Sequence, residues 1–355
     1  MAMSRLWEAL GVKPSAVLGH SSGEYAALHA SGTMSASDVL YLVGTQATLL
    51  TQKFSKGTHV MLSVRESIPV LRARFGSNLP EIACINTPND TVLSGPAETV
   101  APLIEALTAS RVKYTLLNVP YAFHSAQIEP ILSDFATKSR GVTFRDPSIA
   151  YISPYLGDVI SDVSAFRSDY LSQACRGTVD FVGAVEAATK SNIIDSSTIW
   201  IEIGPHPVCS AMLKSILSLD TSALPTTSTR REPWSVLTST LATLYETGID
   251  INWSAYHFDF KAFAKVLEPP SYAWDAKNHW IQYKNNFCLT KGDAPVQQLQ
   301  PSVLQSAFHT TASAQRVVRE ADGFIEVESD LAAPKLSGVV QGHKVNDTML
   351  CPSVS

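Results

Sequence analysis

The sequence predicts an α/β protein, a parallel-sheet domain interrupted by a smaller β-α-β-β-α-β unit. Three stretches predict it. Ala16-Val17-Leu18 is a short apolar run entering Gly19-His20-Ser21-Ser22-Gly23, and good helix formers follow from Glu24 to Ala30. Strand, tight turn and helix in that order is the setting in which G-x-S-x-G holds a serine hydroxyl exposed on a strained elbow. Residues 57–123 then change to short alternating runs with two helical patterns between them, and residues 126–220 return to alternating helix and strand.

Residues 1–56 hold a helix at 4–10, the elbow strand and helix, and a second helix. That last helix starts at Ser35-Ala36-Ser37-Asp38, rich in N-cap residues, with Val39, Leu42, Val43, Leu49 and Leu50 at helical spacing. Glycines at 19 and 23 leave room for the turn and for close strand–helix approach. An elbow serine normally follows earlier strands of its sheet, and Ser21 stands almost at the start, so the chain reads as N-terminally truncated. Residues 57–125 read as strand 59–64, helix 67–75, strands 81–85 and 91–93 around the turn Asn86-Thr87-Pro88-Asn89-Asp90, amphipathic helix 97–110 and strand 112–119. That order is ferredoxin-like. Residues 126–220 continue the large subdomain begun by 1–56, with a helix at 128–138, a strand at 149–152, a helix at 179–189 and a strand at 198–203. The last runs into Gly204-Pro205-His206-Pro207, and a helix follows at 209–217.

Residues 221–287 are less regular. They carry a helix at 235–246 and many aromatics, among them Trp253, Tyr256, Phe258, Phe260, Phe263, Tyr272 and Trp274. These read as anchors pinning a linker to a domain surface rather than as a ligand platform. Residues 288–315, rich in Gln, Ser, Thr and Ala, read as a flexible linker. Residues 316–355 open a new element, with a strand at 324–327, and stop before completing a core; the chain reads as truncated at the back too.

Composition narrows the function classes. The 355 residues are 45% hydrophobic and 17% charged, and 27 basic against 32 acidic residues give a net charge of −5. No basic run favours nucleic acid, no apolar stretch approaches the roughly 18 residues of a membrane span, and Met1–Arg5 opens no signal peptide. Five cysteines without metal spacing (Cys84, Cys175, Cys209, Cys288, Cys351) read as reduced thiols of a cytoplasmic protein.

Ser21 as a nucleophile needs a base. Nine histidines are available. His124 stands where the inserted unit ends and the chain re-enters the large domain, a natural cleft wall. His206 follows a strand C-terminus, the other natural active-site edge of a parallel sheet. His20 neighbours the nucleophile, with its side chain expected to point away. Position alone leaves His124 and His206 both standing.

Gly19-His20-Ser21-Ser22-Gly23-Glu24 together with Ala122-Phe123-His124-Ser125 resembles the malonyl-CoA:acyl-carrier-protein transacylase domain of polyketide and fatty-acid synthases. Tyr41-Leu42-Val43-Gly44, Ala83-Cys84-Ile85-Asn86, Glu202-Ile203-Gly204-Pro205-His206-Pro207, Pro270-Ser271-Tyr272-Ala273-Trp274 and Tyr283-Lys284-Asn285-Asn286-Phe287-Cys288 fit the version in fungal iterative non-reducing polyketide synthases. The resemblance spans nearly the whole chain. It implies an α/β-hydrolase-like domain with a ferredoxin-like insert, and a start of the following product-template domain at the C-terminal end. It implies that Ser21 takes an acyl group from CoA, that His124 is base and then acid, and that the Ser22 N–H is an oxyanion donor. The acyl group would then pass to the phosphopantetheine thiol of an acyl carrier protein, with ketosynthase and product-template domains as neighbours, no bound cofactor and no metal. The family's base is commonly oriented by a backbone carbonyl, for which those of Gly204–His206 are candidates, leaving His206 itself as a wall residue.

Tyr121 and Phe123 occupy the extender-selectivity position, and Phe123 resembles malonyl-type domains. His20 and Asn86 join them as substrate-contacting residues. Gln46 stands where the family has an arginine for the malonyl carboxylate, so the expectation is a weakened preference for malonyl over acetyl. The family's upstream Gly-Gln-Gly oxyanion segment is absent, and Ser22 replaces a frequent leucine. His343, in Gly342-His343-Lys344-Val345-Asn346, matches the product-template base and is expected to be inert alone. Two other readings stand beside this one. A serine esterase or thioesterase would pair Ser21 with His206 and an aspartate, Asp158 or Asp180, between them in sequence. A catalytically dead synthase fragment would keep the motifs without the activity.

Overall fold

The computed structural model describes residues 1–167, 169–275, 315–321, 324–330, 332–334, 336–337, 344–345 and 348–349. The chain divides into two compact units, Met1–Leu267 and Glu268–Ser355.

In the first unit, α1 (Ala2–Ala9) leads into β1 (Ala16–Leu18), the elbow, and α2 (Gly23–Ala30). Next comes α3 (Ala36–Lys53), whose N-cap Ser35 accepts the Asp38 N–H at 3.1 Å, as the serine-rich start predicts. Its buried face is Val39, Leu42, Leu49 and Leu50; Val43, expected with them, lies one turn after Val39 at the margin of that face and is exposed.

Chain order then runs β2 (His59–Val64), α4 (Ile68–Phe75), β3 (Glu81–Thr87), β4 (Asp90–Pro96), α5 (Ala97–Ala109) and β5 (Tyr114–Leu116). The sheet order is β5-β2-β4-β3, with every one of these pairs antiparallel. Alternation along β2 explains how this sheet serves two cores. Leu62 and Val64 point to one face and pack with Leu71 of α4 and Val100, Leu103 and Leu107 of α5. Met61 points to the other face, where Ala83, Cys84, Val92, Ala122 and Val179 close around it. That second face carries the chain segment of His124.

The chain continues through α6 (Glu129–Ser139), β6 (Ala150–Ser153), β7 (Asp158–Ile160) and α7 (Tyr170–Arg176). Strand β6 lies between β1, parallel to it, and antiparallel β7. Residues 179–189, expected as one helix, begin instead as β8 (Val179–Asp180), which adds a fifth, parallel strand to the other sheet at Cys84–Ile85. The helix α8 (Phe181–Lys190) starts only after it. The reason is local: Asp180 accepts the Gly183 N–H at 2.8 Å as the N-cap, and β-branched Val179 before it suits a strand.

Strand β9 (Trp200–Glu202) pairs in parallel with β10 (Ala223–Pro225), and α9 (Cys209–Ile216) connects them. Then follow α10 (Pro233–Glu246), two residues longer at its start than expected because Glu232 caps it, and α11 (Trp253–Tyr256). Leu237, Leu241, Leu244 and Ile251 bury Trp7 and Leu10 of the chain's first turns, and Trp7 donates to the Thr226 hydroxyl at 2.9 Å. The compact unit therefore includes much of the stretch 221–287 that the sequence sets apart as a linker, and it ends at Leu267. Within the second unit the structure describes two antiparallel hairpins, β11 (Arg316–Ala321) with β12 (Phe324–Glu328) and β13 (Lys344–Val345) with β14 (Thr348–Met349). Among the described residues no helix is long and apolar enough to cross a membrane.

Candidate active site

Ser21 sits at the tip of the turn between β1 and α2 with φ +51°, a left-handed conformation that non-glycine residues adopt at a cost of roughly 1–3 kcal/mol. Two turn hydrogen bonds hold it there: the Gly23 N–H donates to the His20 carbonyl at 2.9 Å and the Glu24 N–H to that of Ser21 at 3.0 Å. Gly19 makes the turn possible, since a Cβ on it would lie 2.4 Å from the Gly23 carbonyl oxygen. Gly23 is different: a Cβ there meets nothing within 4 Å, so its expected steric role is not needed. Ser22, exposed, is the N-cap of α2 and stands at the positive end of that helix.

His124 is buried and also left-handed, with φ +58°. Its segment is tied by its own side chains. The Ser125 hydroxyl donates to the Ala122 carbonyl at 2.6 Å, and buried Gln127 accepts the Ala122 N–H at 2.6 Å. The Ala126 N–H donates to Glu81 at 2.8 Å. Arg176 bridges Glu81 at 2.7 Å and Glu129 at 2.9 Å, joining the end of α7 to the same loop.

Ser21 Oγ and His124 Nε2 are 2.8 Å apart. On the far side of the ring, His124 Nδ1 lies 2.9 Å from the Gly177 carbonyl oxygen. A carbonyl only accepts, so Nδ1 carries the proton and donates it, and Nε2 presents its lone pair to the Ser21 hydroxyl. The sequence placed the orienting carbonyl near Gly204–His206; the structure gives it to Gly177, just after α7. Burial pushes the His124 pKa down from 6.5 to about 4, against the opposing pull of the Gly177 carbonyl, and nearby His20 adds to the depression. The ring is therefore neutral at physiological pH and fit to accept a proton.

The other expected residues divide into near and far. His20 donates from Nε2 to buried Asn86 Oδ1 at 2.8 Å beside the Phe181 ring, and burial lowers its pKa. Tyr121 is buried and meets Phe123 edge-on with centroids 6.3 Å apart. Gln46, on α3, donates from its amide to Cys175 Sγ at 3.0 Å. His206 is not part of the pair: its Nδ1 faces the hydroxyls of Ser228 at 3.3 Å and Thr229 at 3.2 Å. Asp158 is exposed on β7 and Asp180 caps α8, so the arrangement of Ser21, His206 and an aspartate is not assembled. His343 lies outside the described residues, as do Cys288 and Cys351. Among the described residues no cluster of His, Cys, Asp and Glu has the grouping of a metal site.

One participant escaped sequence reasoning. Gly177 contributes a backbone atom, which has no residue signature; its glycine identity, required because a Cβ would lie 2.5 Å from the Tyr155 ring, was the only available signal.

A hydroxyl activated by a buried neutral imidazole, itself aligned by a carbonyl, is a nucleophile for acyl groups. Comparison with known proteins agrees. The chain is 44% identical over 99% of its length to the conidial yellow pigment biosynthesis polyketide synthase of Emericella nidulans, covering 16% of that protein. It is 45% identical over 99% of its length to a non-reducing polyketide synthase of Byssochlamys spectabilis, covering 17% of it. The chain thus spans about a sixth of the length of these relatives. The acyltransferase domain from the second module of the salinomycin polyketide synthase superposes with a TM-score of 0.65 at 29% identity, covering 75% of this chain and 62% of that one. Residues 1–229 match the family described as the acyl transferase domain, and the chain belongs to that family.

Proposed function

We propose that this chain moves a short acyl group, malonyl or acetyl, from CoA to the phosphopantetheine thiol of an acyl carrier protein within a polyketide synthase. One observation carries the reading: the 2.8 Å Ser21–His124 contact with the imidazole held by Gly177. In the first half-reaction Ser21 Oγ attacks the thioester carbon as His124 Nε2 takes its proton. The C–S bond breaks and His124 returns the proton to the departing CoA thiolate. The second half-reaction runs the same steps in reverse with the carrier thiol as nucleophile, a ping-pong scheme. The Ser22 N–H, at the positive end of α2, is the oxyanion donor. Thioester exchange of this kind needs a nucleophile and one proton carrier, so the reading includes no resident cofactor.

The acyl end of the site is assigned to Tyr121, Phe123, His20, Asn86 and Gln46, with His206 on the outer wall. Phe123 leaves less room for an α-branched acyl group. Gln46 offers an amide where a guanidinium fork would pair with a malonyl carboxylate, a loss of roughly 2–4 kcal/mol in dicarboxylate binding. The architecture is read as an α/β-hydrolase-like subdomain (1–56 and 126–220) with a ferredoxin-like insert (57–125), which the antiparallel order β5-β2-β4-β3 under two helices supports. Residues 316–355 are read as the start of a product-template domain, in which His343 stands at the position of the base. The acyl carrier, ketosynthase and product-template domains of a longer synthase are the assigned partners, in the cytoplasm.

Exposure of the purified chain to malonyl-CoA and, separately, acetyl-CoA tests the reading by intact mass. An acyl adduct on wild type and none on Ser21→Ala is expected, with Gln46→Arg shifting the ratio toward malonyl. A folded wild-type chain that acquires neither adduct would instead be a catalytically dead synthase fragment.

A further inference from the structure

Glu24 stands three residues after the nucleophile, and the mechanism above makes no use of it. Its carboxylate oxygen Oε1 accepts the Tyr151 hydroxyl at 2.8 Å and also accepts the Tyr170 hydroxyl. The two tyrosine oxygens are 3.2 Å apart, and Tyr170 reaches Ser153 Oγ at 2.9 Å. Tyr151, Tyr170 and Ser153 are all buried. Burial raises the pKa of Glu24, while the two hydroxyls that donate to it oppose the rise. A carboxyl in such a place is costly and only a full set of hydrogen bonds offsets it.

What these bonds connect is informative. Glu24 is on α2, the helix that the elbow enters; Tyr151 and Ser153 are on β6, and Tyr170 opens α7. Helix α7 runs directly into Gly177, whose carbonyl fixes the tautomer and direction of His124. One oxygen therefore ties the element that holds the nucleophile to the element that holds the base's anchor. We propose that Glu24 is a positioning residue, setting the spacing between Ser21 and His124 through Tyr170 and α7. The proposal deepens the acyltransfer reading and rests on its Ser21–His124 pair.

Glu24→Ala, Glu24→Gln and Tyr170→Phe, each in the 355-residue chain, test it. Reaction of Ser21 with a small alkyl fluorophosphonate, followed across pH, reports on the pair without any CoA substrate. Steady-state acylation by acyl-CoA is measured beside it. Glu24→Ala is expected to slow labelling by about tenfold or more, since sub-ångström displacement of a reacting pair is enough. Its acid limb should move to lower pH, because a weaker Gly177 contact removes the bond that holds the His124 pKa up, and kcat should fall with KM unchanged. Glu24→Gln keeps an acceptor oxygen of the same reach and should stay within about threefold of wild type.

Tyr170→Phe removes a single hydroxyl and is expected to give a smaller loss of the same kind; it decides the matter if Glu24→Ala does not fold. Folded variants that label at the wild-type rate with an unmoved pH midpoint, whatever their melting temperatures, would overturn the proposal. A wild type that labels but takes no acyl group from CoA would sink the acyltransfer reading alone and leave the Glu24 comparison standing.

Discussion

At the scale of single residues, the account turns on two side chains in left-handed backbone conformations that face one another. His124 is the more informative. Its pKa of about 4 means that between pH 6.5 and about 4 the unfolded chain binds a proton that the folded chain refuses. The stability that comes with the neutral ring is full above pH 6.5 and is lost as pH falls through this window, by roughly 3 kcal/mol at its lower end. The same protonation governs reactivity. Acylation of Ser21, as kcat/KM against pH, should hold level from pH 8 down to below 6 and fall with a midpoint near 4. A midpoint near 6.5 would mean an exposed imidazole and a different base. The strained turn at Ser21 was legible in the sequence because G-x-S-x-G combines a residue type with a backbone demand. The orienting carbonyl was not, since any residue supplies one, and the Glu24 network was not, since Tyr151 and Tyr170 lie 127 and 146 residues away in sequence.

At the scale of elements, the strand–turn–helix of Gly19–Ala30 is the working part, and Gly19 is its hinge point. A methyl there would sit 2.4 Å from the Gly23 carbonyl oxygen and 2.6 Å from the Glu24 Cα, both backbone, so the turn must open. Gly19→Ala should cost about 3 kcal/mol of unfolding free energy by denaturant titration, and should lower Ser21 acylation well beyond the loss of folded protein. Gly23→Ala, which meets open space, is the matched control. Periodicity located most elements to within a few residues, as in the strand expected at 59–64 and the helix expected at 97–110. It misread 179–180, where two residues pair with β3 while the apolar pattern runs on unbroken into α8: a bridge of two residues is too short to leave a period.

At the scale of the whole chain, the compact unit of Met1–Leu267 closes on itself through its two ends, with Trp7 and Leu10 under Leu237, Leu241, Leu244 and Ile251. This closure left no local signal, because the partners are a helix at the start and an aromatic-rich stretch that by itself reads as linker. A chain ending at Leu267 should melt cooperatively and still acylate Ser21. One ending at residue 220 strips four buried apolar side chains from this cluster, at roughly 1.5–3 kcal/mol each, enough to consume an ordinary domain's stability. Circular dichroism melting of the two lengths reads the difference. The central claim, that Ser21 and His124 form the reacting pair, is tested most directly by intact mass of the acyl adduct after brief exposure to malonyl-CoA or acetyl-CoA, comparing wild type with His124→Ala and His206→Ala. The account predicts that His124→Ala loses about 10²–10⁴-fold in adduct formation while His206→Ala stays close to wild type; loss in His206→Ala with retention in His124→Ala would contradict it.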